Sequence, residues 1–283
     1  MSVINTNIKS LVAQNAMSIN SRSLDKAMEQ LSTGKRINSA ADDAAGLAIS
    51  NKMTSQIRGL NQAVRNANDG ISLLQTADGA TQEVTSMLQR MRELAVQASN
   101  DTYTSSDRSA LNNEVTALKS EITRIADNTE WNGMKLFTAK SAGSAGGIGT
   151  SGLVTLQVGV DGTSADQITV QLSDIDAASL GISGVSLTST SGATSALSTL
   201  DSAIATIDTN RATFGSTMNR LTYAVDNLTN VSQNAQASRS RVLDTDYAQS
   251  TTELARAQII QQAATAMLAQ ANQQPQSVLS LLR

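Results

Sequence analysis

Heptad spacing of apolar residues constrains the fold of this chain more than any other feature. The first stretch steps by three and four residues in turn through Met53, Ile57, Leu60, Val64, Ala67, Ile71 and Leu74. A further step of three leads to Ala77 and interrupts the repeat, which then resumes and runs to Ala98. Such a repeat places one apolar stripe along a helix. It predicts one long helix that is locally overwound near the interruption.

Two more heptad stretches follow along the chain. One runs from Leu111 to Ile125, and the longest runs from Leu197 to Leu228 with Arg211 as its only polar member. Residues 100–107 separate the first two stretches and are rich in residues that form turns and helix caps. Because each stripe is too narrow to be buried alone, we expect a mainly α fold, a long antiparallel helical bundle or coiled-coil rod.

The middle of the chain differs in composition from both flanks. Residues 141–210 contain no Lys or Arg but six Asp, and ten of the 17 glycines fall between 143 and 192. Apolar and polar residues alternate over 154–160 and again over 168–172, with Asp161-Gly162 between the two runs. Alternation around a turn signal is typical of a β-hairpin with a short connecting loop. We therefore expect a small β-hairpin region inserted between two helical halves.

Both ends of the chain are apolar, although chain termini are usually solvated. Residues 1–31 place apolar side chains near one face of a predicted helix, and residues 248–283 contain only three charged side chains. In the second segment a heptad repeat is formed by Leu254, Ala257, Ala264, Leu268 and Ala271, with Gln261 as the polar exception. Such ends need a partner, which is each other, another copy or a chaperone. The only proline, Pro275, is expected to end or kink the last helix.

The residue types that are missing exclude most catalytic and metal chemistry. The 283-residue chain has no Cys and no His, which removes disulfides, thiolate zinc sites and the His-dependent nucleophiles. We expect no enzyme, no cofactor and no metal. A net charge of −3 and a charged fraction of 16% do not indicate nucleic-acid binding. We also expect no membrane span, because no long apolar run is present, and no cleavable signal at residues 1–10.

Five segments carry a family pattern, and they are residues 1–7, 31–46, 88–97, 238–248 and 268–283. In chain order they read MSVINTN, LSTGKRINSAADDAAG, LQRMRELAVQ, SRSRVLDTDYA and LAQANQQPQSVLSLLR. Together they closely resemble bacterial flagellin, the subunit of the flagellar filament. The resemblance extends over roughly residues 1–140 and 194–283.

The resemblance implies a division into five regions. We expect a filament-core helix and connector at 1–44, a helical rod segment at 45–140 and a short β-rich variable region at 141–193. A second rod helix is expected at 194–242 and a second filament-core helix at 243–283. The variable region is short, so the chain looks like a minimal flagellin. Helices with an unburied apolar stripe are marginal alone, so we expect the terminal helices to be disordered in the monomer and to pair in the filament.

The resemblance also implies a function and partners. The chain would be a structural subunit that polymerises with itself into the filament for swimming motility, outside the cell. It would leave the cell unfolded through the flagellar type III apparatus, with an export chaperone at the C-terminal helix. Filament cap and hook-junction proteins would be further partners.

Two sets of residues are expected to mediate assembly. The filament-core contacts are expected at Ile4, Ile8, Leu11, Ile19, Leu31, Leu254, Leu268, Leu279 and Leu282. The subunit connector is expected to depend on Gly34, Arg36, Asp42 and Asp43, with Lys35 and Arg36 facing the two aspartates. The local alternative is a loop followed by a helix whose first turn is favoured by the aspartates.

One segment resembles the part of receptor-active flagellins that a vertebrate Toll-like receptor recognises. Arg90, Leu94 and Glu114 match the contact positions of that family, and Gln89 and Gln97 are expected beside them. Because Arg90 and Leu94 are one helical turn apart, both can present one face to a partner. The alternative is a solvated arginine with a glutamate partner on the same helix.

Other interpretations stay open at this point. A coiled-coil adaptor or a type III-secreted translocator or effector would also show long heptads and few aromatic residues. Asp161, Asp166, Asp174 and Asp176 lack the regular spacing of a calcium loop, and we interpret them as solvated turn carboxylates. Residues 186–195 are rich in Ser and Thr and form either a flexible polar loop or a site for O-glycans.

Overall fold

The computed structural model describes residues 7–137 and 152–280, and for residues 274–280 it describes the backbone alone. Five helices dominate it, with the bounds Ile8–Thr33 (α1), Ala44–Ala98 (α2), Ser105–Asn128 (α3), Thr190–Leu243 (α4) and Tyr247–Ser280 (α5). The antiparallel strand pairs are Glu130–Trp131 (β1) with Met134–Lys135 (β2), and Leu153–Gln157 (β3) with Gln167–Gln171 (β4). The predicted mainly α class with a small β-hairpin region is confirmed.

Helix α2 runs without a break through the interruption of its heptads. Leu74, Ala77, Thr81 and Val84 are all fully buried, so the stripe stays on the buried side through the change of step. Four glycines, Gly46, Gly59, Gly70 and Gly79, lie inside this helix and lower its propensity, but the burial of the stripe outweighs that cost. The prediction of one helix rather than two is confirmed.

A capping box starts α3 after the short turn that follows α2. The Asp107 N–H donates to the Thr104 hydroxyl at 3.3 Å, and the Thr104 N–H donates back to the Asp107 carboxylate at 3.0 Å. The hydroxyl and the N–H of Thr104 lower the pKa of Asp107 below its usual value. Arg108 donates to the backbone carbonyls of Ala98 and Asn100, which ties the start of α3 to the end of α2.

The core-facing stripe of α4 is wider than its heptad repeat predicts. The residues that recur every seven positions are fully buried, as expected, and they are Leu200, Ile207, Phe214 and Leu221. Between them Ala203 is buried, whereas the predicted Ile204 is only partly buried against the core. The stripe widens because α4 packs into one cluster with both α2 and α3, and the small residue occupies the more enclosed position.

Strands β3 and β4 form the predicted hairpin, with Val154 opposite Val170. The connection is longer than the predicted short loop. It is closed by the Asp166 carboxylate, which accepts hydrogen bonds at 3.1 Å from the Asp161 N–H and from the Thr163 hydroxyl. The loop therefore depends on an internal acceptor, which spacing alone does not reveal.

The hairpin lies against α2 at positions where that helix lacks side chains. A Cβ atom on Gly59 would come within 2.7 Å of the Val160 side chain, and one on Gly70 would overlap a methyl group of Leu156. Between these two glycines, the Asn66 side-chain amide donates to a backbone carbonyl of β3 at 3.1 Å. The glycines of α2 thus allow the hairpin to approach closely.

Residues 172–189 form an irregular segment, the strap, which the sequence analysis did not detect. Lys119 on α3 donates to the backbone carbonyls of Ser183 at 3.2 Å and Val185 at 2.9 Å, and Asn112 accepts a backbone N–H of the strap. The large buried residues of the strap are Leu172, Ile175, Leu180, Ile182, Val185 and Leu187. Their spacing follows neither the helix nor the strand period, so periodicity does not reveal them.

The chain divides into two compact units. Unit 1 comprises residues 1–57 and 233–283 and contains α1 and α5. Unit 2 comprises residues 58–232 and contains α3, the hairpin and the strap, together with most of α2 and α4. Within the described ranges of both units, no helix combines the length and the hydropathy that crossing a membrane requires.

Candidate subunit-contact surfaces

Helices α1 and α5 pack against each other in unit 1. Three side chains donate to a backbone carbonyl of the other helix, and the pairs are Asn7 with Ala271 at 2.9 Å, Asn20 with Ala257 at 2.8 Å, and Tyr247 with Leu31 at 3.2 Å. The order of these pairs shows that the two helices run antiparallel. Helix α5 extends past Pro275, so this proline does not end the helix, and the alternative that it kinks the helix stays a prediction.

The seam between α1 and α5 is made of small and polar residues. Ser10, Asn20 and Ala27 of α1 are buried, as are Ser250 and Ala257 of α5. The predicted heptad repeat of α5 lies at this seam. Besides Ala257, its apolar members Leu254, Ala264, Leu268 and Ala271 are half-buried, whereas the polar member Gln261 is exposed. Ser10 and Asn20 were not predicted as seam residues, because polar side chains carry no hydrophobic signal. Their heptad spacing with Ala27 was the signal available in the sequence.

Large apolar side chains lie outside this seam. Ile8 is 59% exposed and Ile259 is 66% exposed. The further exposed apolar residues of the two helices are Leu11, Val12, Ile19, Met28, Ile260 and Met267. Ile8, Val12 and Met267 line one depression at the surface, and exposed apolar patches are typical of interaction sites.

The structure therefore divides the predicted single face of α1. Among the expected filament-core contacts, Ile8, Leu11 and Ile19 are exposed, whereas Leu31 is half-buried. Leu254 and Leu268 are half-buried on α5. Ile4 and Leu282 lie outside the described residues, as does the side chain of Leu279. The spacing on α1 spans more than one stripe, and only the position of α5 decides which stripe is covered.

A backbone clasp joins the connector after α1 to the turn between α4 and α5. The Arg36 N–H donates to the Leu243 carbonyl at 2.7 Å, and the Thr245 N–H donates to the Gly34 carbonyl at 3.1 Å. The Arg36 guanidinium adds a bond to the Val242 carbonyl at 2.8 Å. Gly34 has φ of 69°, the left-handed conformation that ends α1 and that glycine adopts without strain.

The two connector aspartates shape the chain between α1 and α2. Asp42 accepts backbone N–H groups of Asn38 and Ser39 and pairs with Lys26 at 2.9 Å, which together lower its pKa to about 2, Lys26 contributing most. Asp43 accepts the Gly46 N–H at 2.8 Å and so caps α2. The expected facing of Lys35 and Arg36 toward these aspartates is not found. Asp42 pairs with Lys26 because the fold returns the connector to α1.

The expected receptor residues lie on α2 and α3 within unit 2. Arg90 donates to Glu114 at 2.9 Å and to Glu93 at 3.0 Å, and these carboxylates, Glu114 first, raise its pKa. Gln97 donates to the Tyr103 hydroxyl at 2.9 Å, and Gln89 is exposed. Four of the five expected residues thus share an accessible surface. Leu94 is only 1% exposed and belongs to the core, because the buried stripe of α2 is wider than its heptad spacing.

The described residues contain no group of three His, Cys, Asp or Glu side chains arranged to hold a metal ion. Asp174 is half-buried, and this burial raises its pKa. Asp176 and Asp127 lie near enough to add to that increase. No base, nucleophile or metal cluster in the described ranges makes a catalytic constellation with them.

Two family profiles match most of the chain. The bacterial flagellin N-terminal helical region matches residues 4–142, and the bacterial flagellin C-terminal helical region matches residues 197–282. Flagellin of Halalkalibacterium halodurans is 46% identical over 281 residues, which cover 99% of this chain and 100% of that relative. The flagellar filament 33 kDa core protein of Treponema phagedenis is 42% identical over 288 residues, with coverage of 99% and 100%.

A solved structure agrees with these relatives. The crystal structure of Bacillus cereus flagellin is 34% identical and superposes with a TM-score of 0.50, over 58% of this chain and 88% of that chain. Fold, surfaces and relatives together define a structural filament protein rather than an enzyme. The chain belongs to the bacterial flagellin family. Members of that family polymerise into the filament of the bacterial flagellum, which is extracellular.

Proposed function

We propose that the exposed apolar residues of α1 and α5 are the contacts through which copies of this chain pack in the filament core. The observation that carries this proposal is the split of α1, whose small and polar residues face α5 while Ile8, Val12 and Ile19 face outward. Burial of such side chains contributes roughly 1.5–3 kcal/mol each. Neighbouring copies supply that burial, and the chain alone does not.

The division of α1 into a small, polar face and an exposed apolar face also supports the folding of α1 and α5 on assembly. A seam formed by Ser10, Asn20 and Ala27 buries little apolar surface, so the α1–α5 pair is marginal in a free monomer. Residues 1–44 and 243–283 are then the filament-core region, and 45–140 with 194–242 the helical rod. Residues 141–193 are the short variable region. Amide hydrogen exchange of the monomer tests the folding step, and strong protection at Ile8 or Leu268 would overturn it.

Polymerisation of an α5 variant tests the contact surface. Ile259→Asp places a charge on the exposed apolar face, and we expect filaments to be lost in sedimentation and electron microscopy. Gln262→Asp is the matched control, because it adds the same charge at an exposed polar position one turn away. Filaments of normal yield from Ile259→Asp would refute this part of the proposal.

We further propose that the surface around Arg90, Glu114, Gln89 and Gln97 is recognised by the vertebrate Toll-like receptor for flagellin. Its support is the matching segment together with the accessible ion pair of Arg90 and Glu114. Arg90→Ala should lower receptor signalling while the thermal unfolding midpoint stays unchanged. Arg124→Ala is the control, because it removes another exposed ion pair, with Glu121. Leu94 is buried and would act there only by supporting the surface.

Export through the flagellar type III apparatus completes the proposal. Family membership and the exposed apolar face of α5 support a chaperone at α5 before export, and cap and hook-junction proteins as later partners. Deletion of residues 2–31 should keep the chain in the cytoplasm, whereas deletion within 141–151 should not. Secretion of the first variant at the normal level would contradict this route. Family membership favours this function over an adaptor or a translocator.

A further inference from the structure

Acidic and basic residues are unevenly divided between the two units. Unit 1 carries ten Lys and Arg against seven Asp and Glu, whereas unit 2 carries eleven against seventeen. Their net charges are therefore +3 and −6, although the whole chain carries only −3. Opposite charge on two parts of one chain favours association of unlike parts from different copies.

Five cations of unit 1, the connector cations, lie on the connector, in the first turns of α2 and at the end of α4, and they are Lys35, Arg36, Lys52, Arg239 and Arg241. Arg36 and Arg241 donate to backbone carbonyls, and Arg239 donates to the Thr54 hydroxyl at 3.3 Å. Within the described residues none of the five has a carboxylate within ion-pair distance. Lys35 and Lys52 are exposed and have no side-chain hydrogen bond there. The positive charge of the connector cations is therefore not taken up by ion pairs within the described residues.

The acids of the same region are committed to other groups. Asp42 pairs with Lys26, Asp43 caps α2, and Asp244 accepts the Ser240 hydroxyl at 2.5 Å. Asp246 accepts the Ala248 N–H at 2.9 Å and caps α5. These four carboxylates thus order turns of unit 1, while four of the five connector cations are exposed and Arg239 is half-buried.

Unit 2 carries the complementary charge. Five of its acids, here named the acidic surface, have no Lys or Arg partner in the described part of the chain, and they are Asp127, Asp161, Asp174, Asp176 and Asp208. Residues 141–210 supply four of the five and contain no Lys or Arg. Burial raises the pKa of Asp174, and the neighbouring carboxylates Asp176 and Asp127 add to the increase.

We infer that the connector cations of one copy bind the acidic surface of unit 2 of a neighbouring copy. This inference rests on the polymerisation proposed above and adds an electrostatic contact to the apolar one. A second copy fits better than a nucleic acid or an anionic membrane, because the net charge of −3 repels a polyanion. In a filament every connector also meets other copies at high local concentration. The contact sets the register between neighbours and makes assembly sensitive to salt.

Charge reversal tests the contact. Lys35→Glu combined with Lys52→Glu removes two connector cations without loss of a described side-chain bond. We expect the critical concentration for polymerisation, measured by light scattering after seeding, to rise about tenfold at low salt. The difference should shrink at about 0.5 M NaCl, where exposed charges are screened. Arg65→Glu combined with Arg220→Glu is the control, because it changes the net charge equally but only in unit 2.

A mixing experiment separates complementarity from a general charge effect. Asp127→Lys combined with Asp208→Lys reverses two exposed acids of unit 2, and this variant alone should also polymerise poorly. An equal mixture with the Lys35→Glu, Lys52→Glu variant should assemble better than either, because unlike faces then meet. The inference would be overturned if the mixture assembled no better than its components, or if the Arg65→Glu, Arg220→Glu control had an equal effect. In either case, filaments of the parent chain would still support the apolar contact. If the parent chain forms no filaments, both proposals fail.

Discussion

The side-chain amide of Asn20 donates a buried hydrogen bond of 2.8 Å to the backbone carbonyl of Ala257, across the seam between α1 and α5. An asparagine at a heptad seam position costs stability but fixes the register of two helices. In the observed register Asn7 and Tyr247 also donate to carbonyls of the other helix, to Ala271 at 2.9 Å and to Leu31 at 3.2 Å. The pairing of the terminal helices is therefore directed by polar contacts.

Replacement of Asn20 should separate register from stability. Asn20→Leu fills the seam with an apolar side chain, so we expect slower hydrogen exchange in α1 of assembled filaments. The same variant should widen the distance distribution between spin labels at Ser23 and Gln262, because alternative registers become accessible. Ser18→Leu, at an exposed position of α1, serves as control. A narrow distribution in Asn20→Leu would show that register is fixed elsewhere.

Two glycines of α2 should respond differently to the same substitution. Gly79 has no atom within 4 Å of an added Cβ, so Gly79→Ala should raise the free energy of unfolding by about 1 kcal/mol. Gly70→Ala should gain less or lose stability, because the new methyl group displaces Leu156 of the hairpin. Urea unfolding measures both. Equal stabilisation by both substitutions would mean that the hairpin does not depend on close approach at Gly70.

The connector should show a pH dependence that traces to Asp42. The pKa of this group is lowered from 3.8 to about 2 in the folded chain, mainly by Lys26. A carboxyl whose pKa is lowered on folding stabilises the fold fully at pH values above its unfolded-state pKa. This stabilisation is lost as the pH falls through the folded-state pKa. Asp42→Asn should therefore destabilise the chain at pH 6 but not near pH 2. In a Lys26→Met background the difference should shrink, and a constant difference across pH would contradict the assignment.

Lys119 should hold the strap in place. Its ammonium group donates to two strap carbonyls, so Lys119→Met leaves both without a charged donor. We expect a loss of about 1.5–3 kcal/mol in the free energy of unfolding, which is the range for hydrogen bonds to charged groups. The near-ultraviolet signal should change little, since Trp131 lies outside the strap. Lys52→Met, at a lysine without a described side-chain bond, should leave stability unchanged.

The heptads predicted most of the fold. The long α2 and the repeat in α4 follow from the spacing of apolar residues, because residues on the buried face of a helix recur with the helical period. The turn before α3 follows from the residues that separate two such repeats. The hairpin followed in the same way from a period of two. The strap could not be predicted, because its buried residues follow neither the helix period nor the strand period. It is held by Lys119, which lies on another element, α3.

The candidate surfaces were predicted less completely. Arg90 and Glu114 were named together, and they do meet at 2.9 Å, but Leu94 is buried. Asp42 was expected to face Lys35 and Arg36, and it pairs with Lys26 instead. Contacts between residues close in sequence can be predicted from the sequence. An ion-pair partner on another element depends on the tertiary fold, which brings the two elements together.

By itself the sequence determined the family, the mainly α class and the absence of His and Cys chemistry, because these depend on local period and residue type. It also determined that the chain ends carry unpartnered apolar residues. Only the tertiary structure decided which stripe of α1 is covered by α5 and which is left for other copies. The reason is geometric: Ile8 and Leu24 are both apolar, and only the position of a second helix makes one exposed and the other half-buried.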